Sequence, residues 1–207
     1  MKGFVPTPRA VVDLMVEMLF AERAPKPTDS VLDPGCGTGE FIDGVIRWCR
    51  KRAIALPQIT GVEADSRHLP VLAAKFAHIQ SVRIVHDDFL APRRCQFEFI
   101  VGNPPYVSIL GLSSAEKATY RQRFATARGR FDLYLLFTEQ ALRLLRTSGR
   151  LVFITPEKFL YVETARPLRR LMATMHVEEV RLIDEDTFPG LVTYPTITVV
   201  NNREPST

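Results

Sequence analysis

Short apolar runs alternate with helix-periodic stretches along almost the whole of this 207-residue chain, and that alternation limits the fold more than any other feature. Strands are expected at Ser30 to Asp33, Gln58 to Val62, Val82 to His86, Phe97 to Val101 and Arg150 to Thr155. Helices are expected at Pro8 to Ala21, Glu40 to Arg52, Arg67 to Ala77, Asp132 to Arg146 and Thr164 to Met175, from apolar residues three and four apart. Thr7 stands where a residue could cap the first helix, and Pro8 suits its first position. Strands joined through helices build a parallel sheet covered on both faces. The last two runs, Val177 to Ile183 and Thr193 to Val200, have only a loop around Phe188-Pro189-Gly190 between them. Their pairing is therefore expected to be antiparallel, which makes the sheet mixed. Val107 to Arg130 is the longest irregular stretch, with a helix expected from Ser113 to Phe124; long loops in compact domains are often functional.

The length suits one α/β domain with a full core. No apolar run approaches a membrane span, and the N-terminus has no signal-peptide apolar region. Cys36, Cys49 and Cys95 form no C-x-x-C pair, and His68, His78, His86 and His176 have no metal-ligand spacing. Neither a disulfide framework nor a metal site is expected, and a reducing cytosol is the default location. A formal net charge of +4 leans weakly towards a polyanionic partner.

Three strand ends carry polar chemistry. Val31-Leu32-Asp33 runs into Pro34-Gly35-Cys36-Gly37-Thr38-Gly39-Glu40, a strand, glycine turn and helix start. Glycines let a backbone approach a ligand closely, and a helix start offers free N–H groups. Asp33 just before the glycines repels a pyrophosphate and attracts a cationic ligand, which favours an amino-acid-bearing nucleoside over a dinucleotide. Glu63, at the end of the second strand and before Ala64, is placed to accept ribose hydroxyls, whereas Asp65 reads as a helix cap. Asp88 could accept an exocyclic amine of adenine, with Phe89 packing on its ring. Cys36 reads as a small packing residue in the turn.

The fourth strand ends in Asn103-Pro104-Pro105-Tyr106. Two readings fit this tetrapeptide. It is an ordinary Asn-Pro turn, or it is a stiff cradle for a planar group bearing an NH2, with the Asn103 and Pro104 carbonyls as acceptors and Tyr106 as a stacking face. The polar strand ends upstream favour the cradle.

Taken in order, these residues resemble the class I S-adenosylmethionine-dependent methyltransferases, and within them the gamma-class N6-adenine DNA methyltransferases of Type I, IIG and II modification systems. Phe4-Val5-Pro6-Thr7-Pro8 is similar to that family's N-terminal cofactor motif, Asp33 to Phe41 to its glycine motif, and Asn103 to Tyr106 to its catalytic motif. Phe131-Asp132-Leu133-Tyr134 and Gly149 to Ile154 resemble its later motifs. The resemblance implies a Rossmann-like α/β fold: a mostly parallel seven-stranded sheet with an antiparallel C-terminal strand and helices on both faces. It divides one catalytic domain into an N-terminal helix and motif (1–29), a cofactor half (30–102) and a catalytic, target-base half (103–200).

The cofactor implied is S-adenosylmethionine, with S-adenosylhomocysteine as product and no metal. Its implied contacts are Thr7, Asp33, Gly35, Cys36, Gly37, Gly39, Glu63, Ala64, Asp88, Phe89, Asn103 and Pro105. Asn103, Pro104 and Tyr106 would act on a flipped-out adenine, with Phe188 as the second stacking face. Arg121, Arg123, Arg128 and Arg130 could meet phosphates, although a solvated helix face fits them too. The implied partner is double-stranded DNA. A target-recognition domain follows the catalytic one in that family; none is expected within these residues, which points to a separate specificity subunit or segment. Release-factor glutamine methyltransferases share Asn-Pro-Pro-Tyr but carry a helical domain before the glycine turn, where this chain has only Met1 to Asp29. An RNA methyltransferase, or a cofactor-binding subunit active only with a recognition partner, stands as a further alternative.

Overall fold

The computed structural model describes residues 6–184 and 194–205. Seven strands form one sheet in the order β3-β2-β1-β4-β5-β7-β6. The strands β1 (Ser30–Pro34), β2 (Gln58–Glu63), β3 (Val82–His86), β4 (Phe97–Gly102) and β5 (Leu145–Pro156) pair in parallel. The strand β7 (Pro195–Asn201) runs antiparallel between β5 and the edge strand β6 (His176–Leu182), so the sheet is mixed as expected.

The central strands are apolar on both sides because two cores meet them. Leu32, Ile100, Leu151, Phe153 and Val200 face one core, with the helices α5 (Leu133–Leu144) and α6 (Arg166–Met172) above them. Their immediate neighbours Val31, Phe99, Val101, Val152 and Val199 face the other, under α1 (Arg9–Leu19), α2 (Glu40–Lys51) and α3 (Leu69–Phe76). Each fully buried side chain of this kind contributes about 1.5–3 kcal/mol. No described helix is long and apolar enough to cross a membrane.

Three local expectations change. Thr7 does not cap α1: Pro8 is the N-cap residue and no side chain caps it, while the Thr7 hydroxyl is engaged elsewhere. The helix expected to run to Arg146 stops at Leu144, and Leu145 already pairs with Phe97. Ser148 and Gly149 therefore lie inside β5, where Ser148 takes a φ of 60° and its N–H donates to the Asn202 carbonyl at 2.8 Å. Sheet pairing there overrides helical periodicity. The expected helices from Arg67 and Thr164 each open as a 3₁₀ turn, Ser66–His68 and Glu163–Ala165. Their α-helical parts begin only where Pro70 and Pro167 supply the fixed φ of a first turn. Phe188, Phe4 and Val5 lie outside the described residues.

One polar cluster ties the C-terminal strands to the first helix. Arg150 is 4% exposed. Its Nε donates to the Met18 carbonyl at 2.8 Å, its two Nη atoms to Glu178 at 2.5 and 2.7 Å, and Nη1 also to Asn201 at 3.1 Å. These bonds hold the Glu178 carboxyl down at about 2, from an ordinary 4.5. A depressed carboxylate stabilises the fold above its unfolded pKa and ceases to do so as pH falls through the folded one. Arg150→Met should thus cost about 3 kcal/mol in urea unfolding at pH 7, because Glu178 and the Met18 carbonyl lose their donor. The gap between wild type and variant should narrow between pH 4.5 and 2. An unchanged gap across that window would show that the Glu178 pair contributes nothing.

Candidate active site

A cavity of about 450 Å³ opens at the carboxyl ends of β1, β2 and β4. Its floor is the glycine turn. The N–H groups of Gly35 and Cys36 donate to the Val62 carbonyl at 2.8 and 2.9 Å, which straps the turn to the end of β2. Glu63 completes that strap: one carboxylate oxygen accepts from Gly37 N and the other from Asp65 N, each at 2.7 Å. Glu63 is 4% exposed and lines the cavity beside Ala64. Asp65 caps the next turn by accepting from Arg67 N, as its position after β2 led one to expect.

Gly39 is held by two constraints. It takes a φ of +89° at the N-cap of α2, and a Cβ there would lie 2.4 Å from the Phe76 ring. Gly35, at a φ of +84°, faces the Phe137 ring, which a Cβ would approach to 3.3 Å. Phe137 in turn packs on Phe89 at 5.1 Å between centroids, and both rings line the cavity.

Asp33, Gly37 and Gly39 are buried and do not line the cavity. The Asp33 carboxylate is 2% exposed, and neither oxygen has a hydrogen-bond partner among the described residues. Burial, with Glu40 and Glu63 adding repulsion, pushes its pKa well above the carboxylate range. Cys36 does line the cavity; burial raises its thiol pKa, which keeps it a packing thiol.

Asp88 and Phe89 are both in the wall. One Asp88 oxygen accepts from Leu90 N at 2.9 Å, and the Tyr120 hydroxyl lies 3.5 Å from the other. Burial pushes the Tyr120 phenol up to about 12, and Asp88 adds to the shift. Tyr120 belongs to α4 (Ser114–Arg123), which with Gly111, Leu112 and Glu116 forms one side of the cavity. This side falls within Val107 to Arg130, the long stretch whose length points to function without naming residues, whereas Phe137 reads only as part of a helical apolar stripe.

The Asn-Pro-Pro-Tyr turn divides. Asn103 and Pro105 line the cavity together with Thr7, and Asn103 Nδ2 donates to Thr7 Oγ1 at 3.2 Å. Pro104 is buried. Tyr106 is outside the cavity lining: its hydroxyl donates to the Ile154 carbonyl at 3.4 Å, and its ring meets Tyr134 edge-on at 6.3 Å. The four arginines also separate. Arg121 and Arg123 lie on α4, Arg123 with its guanidinium over Phe124, whereas Arg128 and Arg130 occupy an exposed loop tip.

This strand order with an antiparallel β7, and a glycine-turn cavity at the strand ends, defines the class I methyltransferase fold. A structure assigned to the class I S-adenosylmethionine-dependent methyltransferases, from Listeria monocytogenes, superposes with a TM-score of 0.73 at 20% identity, over 97% of this chain and 62% of that one. The type I restriction-modification methyltransferase subunit from Streptococcus thermophilus gives 0.76 at 18% identity, over 98% and 46%. In sequence, the Modification methylase CviBIII of Paramecium bursaria Chlorella virus NC1A is 34% identical over 78% of this chain and 40% of its own. The chain spans 40–43% of the length of the first curated relatives it matches. It belongs to the Eco57I restriction-modification methylase family, whose profile matches residues 63–188.

Gly39→Ala tests the floor of the cavity. Left-handed strain and displacement of Phe76 together should cost about 2–4 kcal/mol. Urea unfolding reads this directly, and a loss below about 1 kcal/mol would mean that α2 starts without depending on that turn.

Proposed function

We propose that this chain is the catalytic domain of a DNA adenine-N6 methyltransferase using S-adenosylmethionine. The observation that carries the reading is the position of Asn103, which borders an acid-lined cavity and begins the turn that bears Tyr106. Membership of a restriction-modification methylase family supports it.

The residues present suit this cofactor. Glu40, Glu63, Asp87, Asp88 and Glu116 line the cavity, and the unpartnered Asp33 lies behind it, a field that favours a cationic ligand and disfavours a pyrophosphate. Glu63 retains lone pairs for ribose hydroxyls, Asp88 for an adenine amine, and Phe89 and Phe137 offer apolar surface to a base. When bound, S-adenosylmethionine supplies an electrophilic methyl group. The protein's task is then to place the adenine N6, a poor nucleophile because its lone pair is delocalised into the ring. The bond from Asn103 to Thr7 sets which end of the amide faces Thr7. Asn103 Oδ1 and the Pro104 carbonyl accept the two amine hydrogens and favour a pyramidal nitrogen. Positioning and fixed dipoles carry the rate, and the product proton leaves to water, so no general base is assigned. Tyr106, tethered through its hydroxyl and braced by Tyr134, is the stacking face for an extruded base. Phe188 is assigned the second face. Double-stranded DNA is the substrate, with sequence recognition assigned to a segment or subunit outside these residues.

Two variants test the two sides separately. A carboxyl group whose pKa is raised in the fold costs stability above its unfolded pKa of 3.8. Asp33→Asn should therefore raise the melting temperature of the ligand-free protein at pH 7, with the gain vanishing below about pH 4. It should also weaken S-adenosylmethionine binding by about tenfold, read by calorimetry; higher stability with unchanged affinity would remove Asp33 from the cofactor side. Asn103→Ala should leave cofactor affinity within about threefold and abolish transfer of labelled methyl groups to DNA, assayed with a recognition partner supplied. Retained turnover in that variant would refute the catalytic assignment.

A further inference from the structure

The loop from Phe124 to Phe131 is built more rigidly than an exposed connection needs. Phe124, Thr126, Ala127 and Phe131 are all buried. Beneath them the buried carboxylate of Glu139 on α5 accepts from Ala125 N at 3.0 Å and Thr126 N at 2.8 Å, and Arg143 pairs with it. Ile109 N donates to the Phe131 carbonyl at 3.0 Å and Leu133 N to the Val107 carbonyl at 2.8 Å. The far end of the loop is thereby bonded to the chain just after Tyr106. Out of this frame the run Arg128-Gly129-Arg130 is exposed. Gly129 takes a φ of +55°, and the two arginines have no acidic partner among the described residues.

A third cation stands beside this tip. Lys158 follows the carboxyl end of β5, next to β4, the strand that Asn103 follows. It is ion-paired with Asp132, two residues beyond Arg130, and its side chain remains 43% exposed. Its ammonium lies 5.8 Å from the centre of the Tyr134 ring, the ring that braces Tyr106. On the other side, a Cβ on Gly129 would come within 3.3 Å of Thr164, so the tip and the Lys158 segment adjoin twice. Of the acids in this segment, Glu163 pairs with Arg166, and Glu157 accepts from the Tyr161 hydroxyl at 3.3 Å.

We propose that Arg128, Arg130 and Lys158 form a preset clamp for the DNA phosphates flanking the nucleotide that reaches Asn103. The clamp rests on the functional reading above and narrows it. Arg121 and Arg123 are excluded from it because α4 borders the cofactor cavity and Arg123 packs on Phe124. Arginine forks and a lysine suit phosphate oxygens, and a rigid base reduces the ordering cost of binding. Lys158 donates one of its three N–H bonds to Asp132 and keeps two for a phosphate. Such contacts hold the strand in register without reading its sequence.

The test is a duplex-binding titration over a range of salt concentrations, with S-adenosylmethionine affinity measured alongside. Neutralising one phosphate-binding cation should lower the slope of log affinity against log salt by about 0.9, so R128Q/R130Q/K158Q should reduce it by about 2–3. R50Q/K51Q is the control: it removes two exposed charges at the far end of α2, about 16 Å along the helix from the cavity. It should keep the wild-type slope, and both variants should keep wild-type cofactor affinity. A wild-type slope in the triple variant overturns the clamp while methyl transfer to DNA still stands for the functional reading. A wild-type protein that binds no duplex at any salt overturns the clamp, whereas absence of methyl transfer to DNA with a recognition partner supplied overturns the functional reading.

Discussion

A sheet buried on both faces leaves polar chemistry almost nowhere to go except the strand ends. Leu151 and Phe153 enter one core while Val152 and Ile154 enter the other, so no side chain of that stretch is free for function. The backbone at the carboxyl edge must still find partners, because buried N–H groups left unpaired are costly. Glu63 meets that need. One carboxylate joins the glycine turn after β1 to the turn after β2, and in doing so becomes a fixed negative wall. The cavity is therefore a by-product of satisfying the sheet's end, and its electrostatic sign follows from the group that does so.

That sign has a cost which is visible at Asp33. A buried carboxylate with no partner among the described residues, and with Glu40 and Glu63 nearby, is an element that stability alone would not retain. On the proposed function, Asp33 is a position where the fold gives up stability for a ligand's sake. Arg150 is the contrasting case. It is equally buried and charged, but every direction of its fork is met by Met18, Glu178 and Asn201, and its role is to join α1 to the last strands.

What can be read from the sequence is what local pattern determines. The strands, the mixed sheet and the glycine turn follow from short apolar runs buried on both faces, from the helices between them and from positions where only glycine fits, as at Gly39. What cannot be read depends on contacts between distant segments. Thr7 reads as a cap because caps are local, yet its hydroxyl is used by Asn103, 96 residues on. Phe137 and Tyr120 carry ordinary helical apolar spacing, and only the crossing of α4 and α5 over the strand ends turns them towards the cavity. Helical period alone carries α5 too far, because Leu145 obeys its sheet partner Phe97 instead. The arginines form one cluster in sequence, but α4 ends between Arg123 and Arg128, and the chain reversal there separates them.

Asn103 is where these constraints converge. It follows the last paired residue of β4, so its backbone position is set by the sheet. Its amide is oriented from the N-terminal segment through Thr7, and the turn that it opens is held to β5 through Tyr106 and Ile154. On the proposed function, Asn103 brings two ligands together within bonding distance and needs such independent supports, since a displacement of about 1 Å can cost 100-fold in rate. Asn103 lines the cavity, while Tyr106, at the other end of the same turn, lies outside its lining. On the proposed function, this arrangement lets one cofactor half serve different target-base surroundings. It also explains why the cavity is built from the glycine turn and strand ends, whereas the outer face draws on the loops after β4 and β5, where the chain is freest to vary.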